Sequence, residues 1–331
     1  MKRKILIAIE EFAKNSDEYL KLIDKNNFDL IWNESGKRLD FKRDFNLFQD
    51  IDYIIAGLEE YPLEFFENNQ NVKAISRVGV GVDNIDLMSA KKKGVKVFIT
   101  TDKPSVAVSE LCISNMIAIL RSTFIMNQSL KNDEWNVIQG RDIRNCSVGI
   151  IGLGSIGKEV VKRLKSFGPK ISGYARTWDS SFAHRYSIKR YLSLEEITAE
   201  SDILTIHLPL EKETENLISE NIIKRLKADS ILINTSRAGV VDNIALANSL
   251  RKGHILGAAI DVFDEERKIA PYNELENVIL TPHVGSHTAG TRIAMEESAI
   301  NNILSFDALI NPKNHNNLTE LLMQVEKNSV V

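Results

Sequence analysis

A chain of 331 residues is long enough for two domains of ordinary size, each with its own hydrophobic core. Hydrophobic residues make up 43% and charged residues 26%, the balance of a soluble globular protein, and no apolar run approaches membrane-spanning length. A net charge of −3 gives no reason to expect a polyanion-binding surface, so neither nucleic acid nor a membrane is an expected partner. Cys112 and Cys146 have no metal-ligand spacing. They read as reduced structural thiols, which fits a cytoplasmic location, and no metal is expected.

The chain opens basic and then apolar, but the apolar core from Ile5 to Ile9 ends at Glu10 and Glu11. That pattern predicts a first β-strand rather than a signal peptide. Strand candidates in the first third are Lys4–Ile9, Asp29–Trp32, Tyr53–Ala56, Val72–Arg77 and Val95–Thr100. Next, Pro104–Arg121 repeats apolar residues at Val106, Val108, Leu111, Ile113, Met116, Ile117 and Leu120. This spacing predicts a long helix, with Asp102-Lys103-Pro104-Ser105 as its start signal, and a candidate hinge or oligomer helix. Further strands are expected at Ser147–Gly152, Ile171–Tyr174, Ile203–His207, Ser230–Thr235, Leu256–Val262 and Val278–Thr281. A last helical stretch, Thr288–Leu309, precedes a polar tail, Asn311–Asn317, and a short end. Strands alternating with helices imply an α/β architecture with mostly parallel sheets. Five strands precede the glycine turn described next, so two sheets are required.

That turn is Val148-Gly149-Ile150-Ile151-Gly152-Leu153-Gly154-Ser155-Ile156-Gly157-Lys158. A β-like run leads in, a helix-like run from Lys158 to Phe167 follows, and a second strand comes after it. In such a βαβ unit Gly152 permits the tight turn, Gly154 lets backbone approach a pyrophosphate, and Gly157 lets helix pack on strand. The free N–H groups of the helix and its dipole favour the anion.

Three charged groups follow later strand ends in order: Arg237, Glu266 and His283. In parallel α/β sheets ligands bind beyond the carboxyl ends of strands. An arginine fork can hold a carboxylate and polarise the neighbouring carbonyl. A histidine can move the hydroxyl proton as hydride moves at the same carbon, and a carboxylate beside it would raise the His283 pKa. Taken singly, Arg237 reads as a surface arginine, Glu266 as a solvent-facing acid and His283 as a packing histidine. Their joint occurrence after a phosphate-binding turn favours chemistry on a 2-hydroxy or 2-oxo acid. Asp261, ending an apolar strand, reads either as a turn residue or as a hydrogen-bond partner of a nicotinamide amide.

With these residues in view, the chain resembles the D-isomer-specific 2-hydroxyacid dehydrogenases, and most closely their phosphoglycerate-dehydrogenase-like members. The resemblance runs from Lys4 to about Ala308 and rests on Ser76–Asp86, the glycine turn, His207-Leu208-Pro209-Leu210, Asn234–Gly239, Asp261–Glu266 and Thr281–Gly285. It implies two Rossmann-like domains with doubly wound parallel sheets. A cofactor domain (102–286) would be inserted into a flavodoxin-like substrate-binding domain built from 1–101 and 287–331, with the active site in the cleft and a homodimer formed through the cofactor domain. It also implies that Arg237, Glu266 and His283 are the catalytic residues. Cofactor contacts would be Gly152, Gly154, Ser155, Ile156, Gly157, Ala175, Arg176, Thr177, His207, Leu208, Pro209, Thr235, Ser236, Asp261, Gly285 and Ser286. Arg77 and Val78 with the backbone of Gly79 and Val80 would hold the substrate.

The chain departs from the family pattern in several places. The second strand of the βαβ unit ends Gly173-Tyr174-Ala175-Arg176-Thr177, without the aspartate that NAD-type members place there. Nothing in that segment repels a 2′-phosphate and Arg176 and Thr177 could bind one, so NADP is favoured over NAD. Phosphoglycerate enzymes carry an arginine where this chain has Ala56-Gly57, which disfavours a phosphorylated substrate. A carboxy-terminal regulatory domain of the kind some members carry is not expected, and Arg267 replaces the usual proline after the glutamate. The expected function is hydride transfer between NAD(P) and C2 of a small D-2-hydroxy or 2-oxo acid (3-phosphoglycerate-like, hydroxypyruvate or glyoxylate). Formate or phosphite oxidation is argued against by Glu266. A dinucleotide-sensing binding protein of the same fold, with little turnover, is the alternative.

Overall fold

The computed structural model describes residues 2–25, 28–101, 104–264, 268–311 and 318–331. The chain divides into two compact units, Met1–Pro104 with Thr288–Val331, and Ser105–His287. Asp102 and Lys103 of the expected helix start signal lie outside the described residues, as do Glu265, Glu266 and Arg267.

In the first unit the strands are β1 (Arg3–Ile7), β2 (Phe28–Trp32), β3 (Tyr53–Ala56), β4 (Ala74–Arg77) and β5 (Lys96–Phe98). They form one sheet in the order β2-β1-β3-β4-β5 with every pairing parallel. Both faces of such a sheet must be covered, so its strands are apolar without alternation. Side chains nonetheless divide by face: Ile5, Ile7, Tyr53 and Ile55 join one core, while Leu6, Ala8, Ile54 and Ala56 join the other.

The 22-residue helix Ala289–Ile310 returns the end of the chain to the first of these cores through Met295, Ala299, Ile300, Ile303 and Phe306. Two of its acids fasten it to the beginning of the chain. Asp307 pairs with Arg3 and accepts from the Tyr53 hydroxyl at 2.6 Å. Glu296, with no solvent exposure, accepts from the Ala13 N–H at 3.0 Å and the Tyr19 hydroxyl, and pairs with Arg292 at 2.8 Å. Where a short end was expected, a further helix forms, Leu318–Asn328. Beyond it Ser329 pairs antiparallel to Phe98, and the Val330 N–H donates to the Val97 carbonyl at 2.9 Å. The end of the chain thus occupies the open edge of β5, a contact of high sequence separation that local pattern does not reveal.

The second unit carries β6 (Ser147–Ile151), β7 (Lys170–Tyr174), β8 (Lys189–Arg190), β9 (Ile203–Ile206), β10 (Ile231–Asn234), β11 (Gly257–Ile260) and β12 (Val278–Leu280). Their order is β12-β11-β10-β9-β6-β7-β8, again parallel throughout. The two-residue strand β8, at the edge, is too short to have a sequence signal. The helix Ser105–Leu120 forms as expected and is largely buried against β10, β11 and the helix Ser155–Leu164. Among the described residues no single helix is long and apolar enough to cross a membrane. Each sheet order reverses once, between β1 and β3 and between β6 and β9. At such switch points the crevices at the carboxyl ends of strands are open to a ligand.

Removing the Glu296 side chain takes the acceptor from the buried Tyr19 hydroxyl and the Ala13 N–H and the counter-charge from the largely buried Arg292 guanidinium. Glu296→Ala is expected to lower unfolding free energy by about 3–5 kcal/mol, read from a denaturant titration. A loss under about 1 kcal/mol would show that the helix is held without this acid.

Candidate active site

The glycine turn lies at the switch point of the second sheet. Gly152 has φ 94°, and a Cβ there would stand 2.4 Å from the His207 carbonyl oxygen. A Cβ on Gly157 would stand 2.1 Å from the Gly152 carbonyl oxygen, so helix and strand touch through bare backbone. Gly154 is different: it precedes the ten-residue helix Ser155–Leu164 as its N-cap, and nothing lies within 4 Å of where its Cβ would be. Ser155, Ile156 and Gly157 form the first helical turn, where N–H groups have no intrahelical acceptor. An open backbone surface facing unpaired N–H groups at a helix N-terminus fits a dinucleotide pyrophosphate.

Around this turn, Ala175 is half-buried at the end of β7, and Arg176 and Thr177 are exposed. The absence of a repelling carboxylate, expected from the sequence, needs correction. Glu211, from the loop after β9, brings its Oε2 to 3.4 Å from Arg176 Nη1. A β7 strand end without an acid has one supplied from β9 instead. Also past β9, His207 fixes its backbone to the Ile151 carbonyl at 2.8 Å and its Nε2 to the Thr205 hydroxyl at 3.0 Å. Burial pushes its pKa down to about 3, so the ring is neutral. Leu208 and Pro209 follow, half-buried and exposed.

Beyond β10 the chain turns at Asn234, whose side chain organises the next three residues. Its Oδ1 accepts from the Ser236 N–H at 3.0 Å and the Ser236 hydroxyl at 2.8 Å, while its Nδ2 donates to the Arg237 carbonyl at 2.9 Å. Asn234 is fully buried, and its role went unassigned in the sequence reading. An Asn opening a turn of polar residues was the available signal. Arg237 is half-buried and its Nη1 donates to the Ser236 carbonyl at 2.7 Å. Below Thr235 lies Cys112, its Sγ 3.0 Å from the Thr235 hydroxyl, with burial pushing the thiol up to about 12. That thiol stays protonated and structural.

His283 is exposed, just past β12, with φ 55°. A left-handed non-glycine residue costs about 1–3 kcal/mol and persists only where neighbours over-determine it. Asp261 does so from the end of β11. Its Oδ1 accepts from the Thr281 hydroxyl at 2.6 Å and the Val284 N–H at 2.9 Å, and its Oδ2 from the Gly285 N–H at 2.8 Å. A Cβ on Gly285 would come within 3.0 Å of that same oxygen. The Asp261 carboxylate, 1% exposed, faces the loop that carries His283, as a turn residue would. Burial raises its pKa, and the three donors oppose that rise. Ser286 is half-buried beside this loop. Glu266, expected as the partner of His283 and as the cause of its raised pKa, lies outside the described residues.

In the first unit the segment after β4 holds Arg77, Val78, Gly79 and Val80. Arg77 is 6% exposed and donates from Nη1 to the Val78 carbonyl at 3.0 Å. The Gly79 N–H, expected to grip substrate, already donates to the Thr100 hydroxyl at 2.9 Å and the Arg77 carbonyl at 3.0 Å. Val80, the other residue expected to grip substrate, is 41% exposed.

Two doubly wound parallel sheets, each reversing order once and one of them carrying a glycine turn at a helix N-terminus, define the class of Rossmann-like α/β proteins. The model of the D-isomer specific 2-hydroxyacid dehydrogenase NAD binding domain matches residues 113–285. A glyoxylate reductase of Thermococcus litoralis is 36% identical over 256 residues, covering 73% of this chain and 76% of the relative. A D-3-phosphoglycerate dehydrogenase of Methanocaldococcus jannaschii is 38% identical over 240 residues, 70% of this chain but 46% of that longer protein. Among solved structures, an NADPH-dependent glyoxylate/hydroxypyruvate reductase from Sinorhizobium meliloti, in complex with NADP and malonate, superposes with a TM-score of 0.81 at 25% identity. It covers 92% of this chain and 94% of that one. The chain belongs to the D-isomer specific 2-hydroxyacid dehydrogenases, nicotinamide-dependent oxidoreductases that act on CH–OH donors.

Two glycines of one turn should respond differently to a methyl group. Gly154→Ala is expected to keep stability within about 0.5 kcal/mol, since its surroundings are open. Its cofactor dissociation constant, read by fluorescence titration, should rise about tenfold as the methyl meets the pyrophosphate. Gly152→Ala should instead lower stability by more than the roughly 1–2 kcal/mol of a left-handed residue, because the methyl meets backbone. Equal behaviour of the two variants would contradict the assignment of Gly154 to the ligand face.

Proposed function

We propose that this chain reduces a small 2-oxo acid, glyoxylate or hydroxypyruvate before a 3-phosphoglycerate-like substrate, to the D-2-hydroxy acid, with NADP favoured over NAD. The observation that carries this reading is the exposed His283, held in a left-handed conformation by the buried Asp261 carboxylate. A histidine presented at such conformational cost beyond a strand end is suited to proton transfer. The names of the Thermococcus litoralis and Sinorhizobium meliloti relatives support the substrate class.

The residues divide the work by their chemistry. Ser155, Ile156 and Gly157 bind the pyrophosphate through backbone N–H groups, with Gly152 and Gly154 clearing its approach. Thr235, Ser236, Gly285 and Ser286 would lie on the nicotinamide side of the cofactor, with His207, Leu208 and Pro209 as further cofactor contacts. When bound, a reduced nicotinamide would supply the hydride that adds to the carbonyl carbon. Arg237 holds the substrate carboxylate and polarises the adjacent carbonyl through its planar fork of donors. His283 donates the proton that turns the carbonyl oxygen into hydroxyl, with Glu266 as its carboxylate partner. In the first unit, Arg77 and the Val80 N–H bind the acid. Cofactor choice is set at Ala175, Arg176 and Thr177, where Arg176 favours a 2′-phosphate and Glu211 opposes it.

Absorbance at 340 nm with a panel of 2-oxo acids and either cofactor tests this directly. His283→Ala should lower turnover by about 10²–10⁴ while cofactor affinity is kept. Saturable cofactor binding with no turnover on any acid would favour the dinucleotide-sensing alternative. We further infer a cytoplasmic homodimer. The thiols of Cys112 and Cys146 are free and buried. In the cofactor-binding unit Trp135 is 85% exposed and Val137 83% exposed, a local concentration of apolar surface that a second copy would cover. Trp135→Asp together with Val137→Asp should therefore shift the sedimentation coefficient from dimer to monomer. An unchanged mass would place the interface elsewhere.

A further inference from the structure

The first sheet has its own switch point, between β1 and β3, and an acid lies at it. Gly57 follows directly on β3, and its N–H donates to Glu59 Oε2 at 2.6 Å. A Cβ on Gly57 would meet Glu59 Oε1 at 3.1 Å and Ile9 Cγ1, from the loop after β1, at 3.2 Å. The Glu59 carboxylate therefore curls back over the carboxyl ends of both strands. It is 4% exposed, in a segment pinned by the Asn84 side chain, which donates to the Glu59 carbonyl.

Arg77 comes to the same place from β4. Ala56 and Arg77 are register partners across β3 and β4, and the Val78 N–H donates to the Ala56 carbonyl at 2.8 Å. The Arg77 guanidinium lies across Gly79, where a Cβ would overlap it at 1.4 Å. Burial raises the Glu59 pKa above the ordinary carboxylate value, and its backbone N–H donors, with Arg38 and Arg77, oppose that rise and favour the carboxylate. Tyr61, fully buried, feels the charges of both Glu59 and Arg77, and its hydroxyl has no hydrogen-bond partner among the described residues. A buried carboxylate, a buried guanidinium and an unsatisfied hydroxyl thus share one polar cluster behind the segment proposed to hold substrate.

We propose that Glu59 is a specificity-determining residue: its buried carboxylate offsets the Arg77 charge, so the site accepts a 2-hydroxy or 2-oxo acid with one carboxylate and rejects one bearing a second anionic group. The inference rests on the reading that this segment binds the substrate acid. Physically, a second anion brought to a poorly solvated site meets the Glu59 charge unscreened. Rejection by a like charge is the more effective route to specificity, because the favoured acid needs no added contact. The cluster also gives a reason, independent of the missing arginine at Gly57, for excluding a phosphorylated side chain.

The test is calorimetric, on full-length protein saturated with oxidised cofactor, using glycolate as the single-carboxylate probe and D-malate as the doubly charged one. The wild type should bind glycolate more tightly. Glu59→Gln should narrow the malate-to-glycolate ratio of dissociation constants about tenfold by tightening malate, whereas Glu59→Asp, which keeps the charge, should hold the wild-type ratio. Glu59→Leu takes the place of the amide variant should that one not fold. A ratio within about twofold of wild type in the uncharged variants, or equal shifts of both probes, overturns the proposal. Lack of turnover by the wild type on every 2-oxo acid overturns the proposed activity instead, and the binding ratio still decides the role of Glu59.

Discussion

The close approach of the Gly152 carbonyl to Gly157 is the constraint on which the nucleotide-binding unit depends. No side chain fits between strand and helix there, so the helix Ser155–Leu164 starts hard against the end of β6 and aims its unpaired N–H groups at the switch point. Gly152 is pressed just as closely by the His207 carbonyl, which ties the β9 end to the same turn. Two contacts of bare backbone therefore fix the start of the helix and the loop after β9 together. Downstream, Arg237 lies beyond β10 and His283 beyond β12, past the carboxyl ends of strands in the same sheet.

Away from the turn, positioning passes to buried polar side chains. Asn234 shapes the loop that carries Arg237, and Asp261 shapes the one that carries His283. Both sit at strand ends, both are buried, and both satisfy backbone donors or acceptors that would otherwise be lost from water. Their effect is to restrict the chain to one conformation, which is how a left-handed histidine can be held at an exposed position.

Much of this was legible in the chain itself. The eleven longer strands announce themselves as apolar runs, because parallel sheets buried on both faces require them. The glycine spacing, Arg237 and His283 are local patterns with local meaning, and each lies at a strand end. What the sequence hid depends on contacts across long separations. The terminal helix Leu318–Asn328 and the pairing of Ser329 with Phe98 join residues far apart in the chain. The carboxylate facing Arg176 comes from Glu211, not from β7 where pattern directs attention. Asp261 could be read two ways because an acid at a strand end is equally suited to a ligand or a loop, and its contacts with Thr281, Val284 and Gly285 are not local in the chain. The partner of the Gly79 N–H is hidden for the same reason, since Thr100, its acceptor, follows β5.

A crystal structure of the protein with NADP and glycolate addresses the central claim most directly. The pyrophosphate is expected on the N–H groups of Ser155, Ile156 and Gly157, and the glycolate hydroxyl within hydrogen-bond distance of His283, with its carboxylate on Arg237. A dinucleotide lying away from Gly154, or a hydroxyl that touches neither His283 nor Arg237, would contradict it.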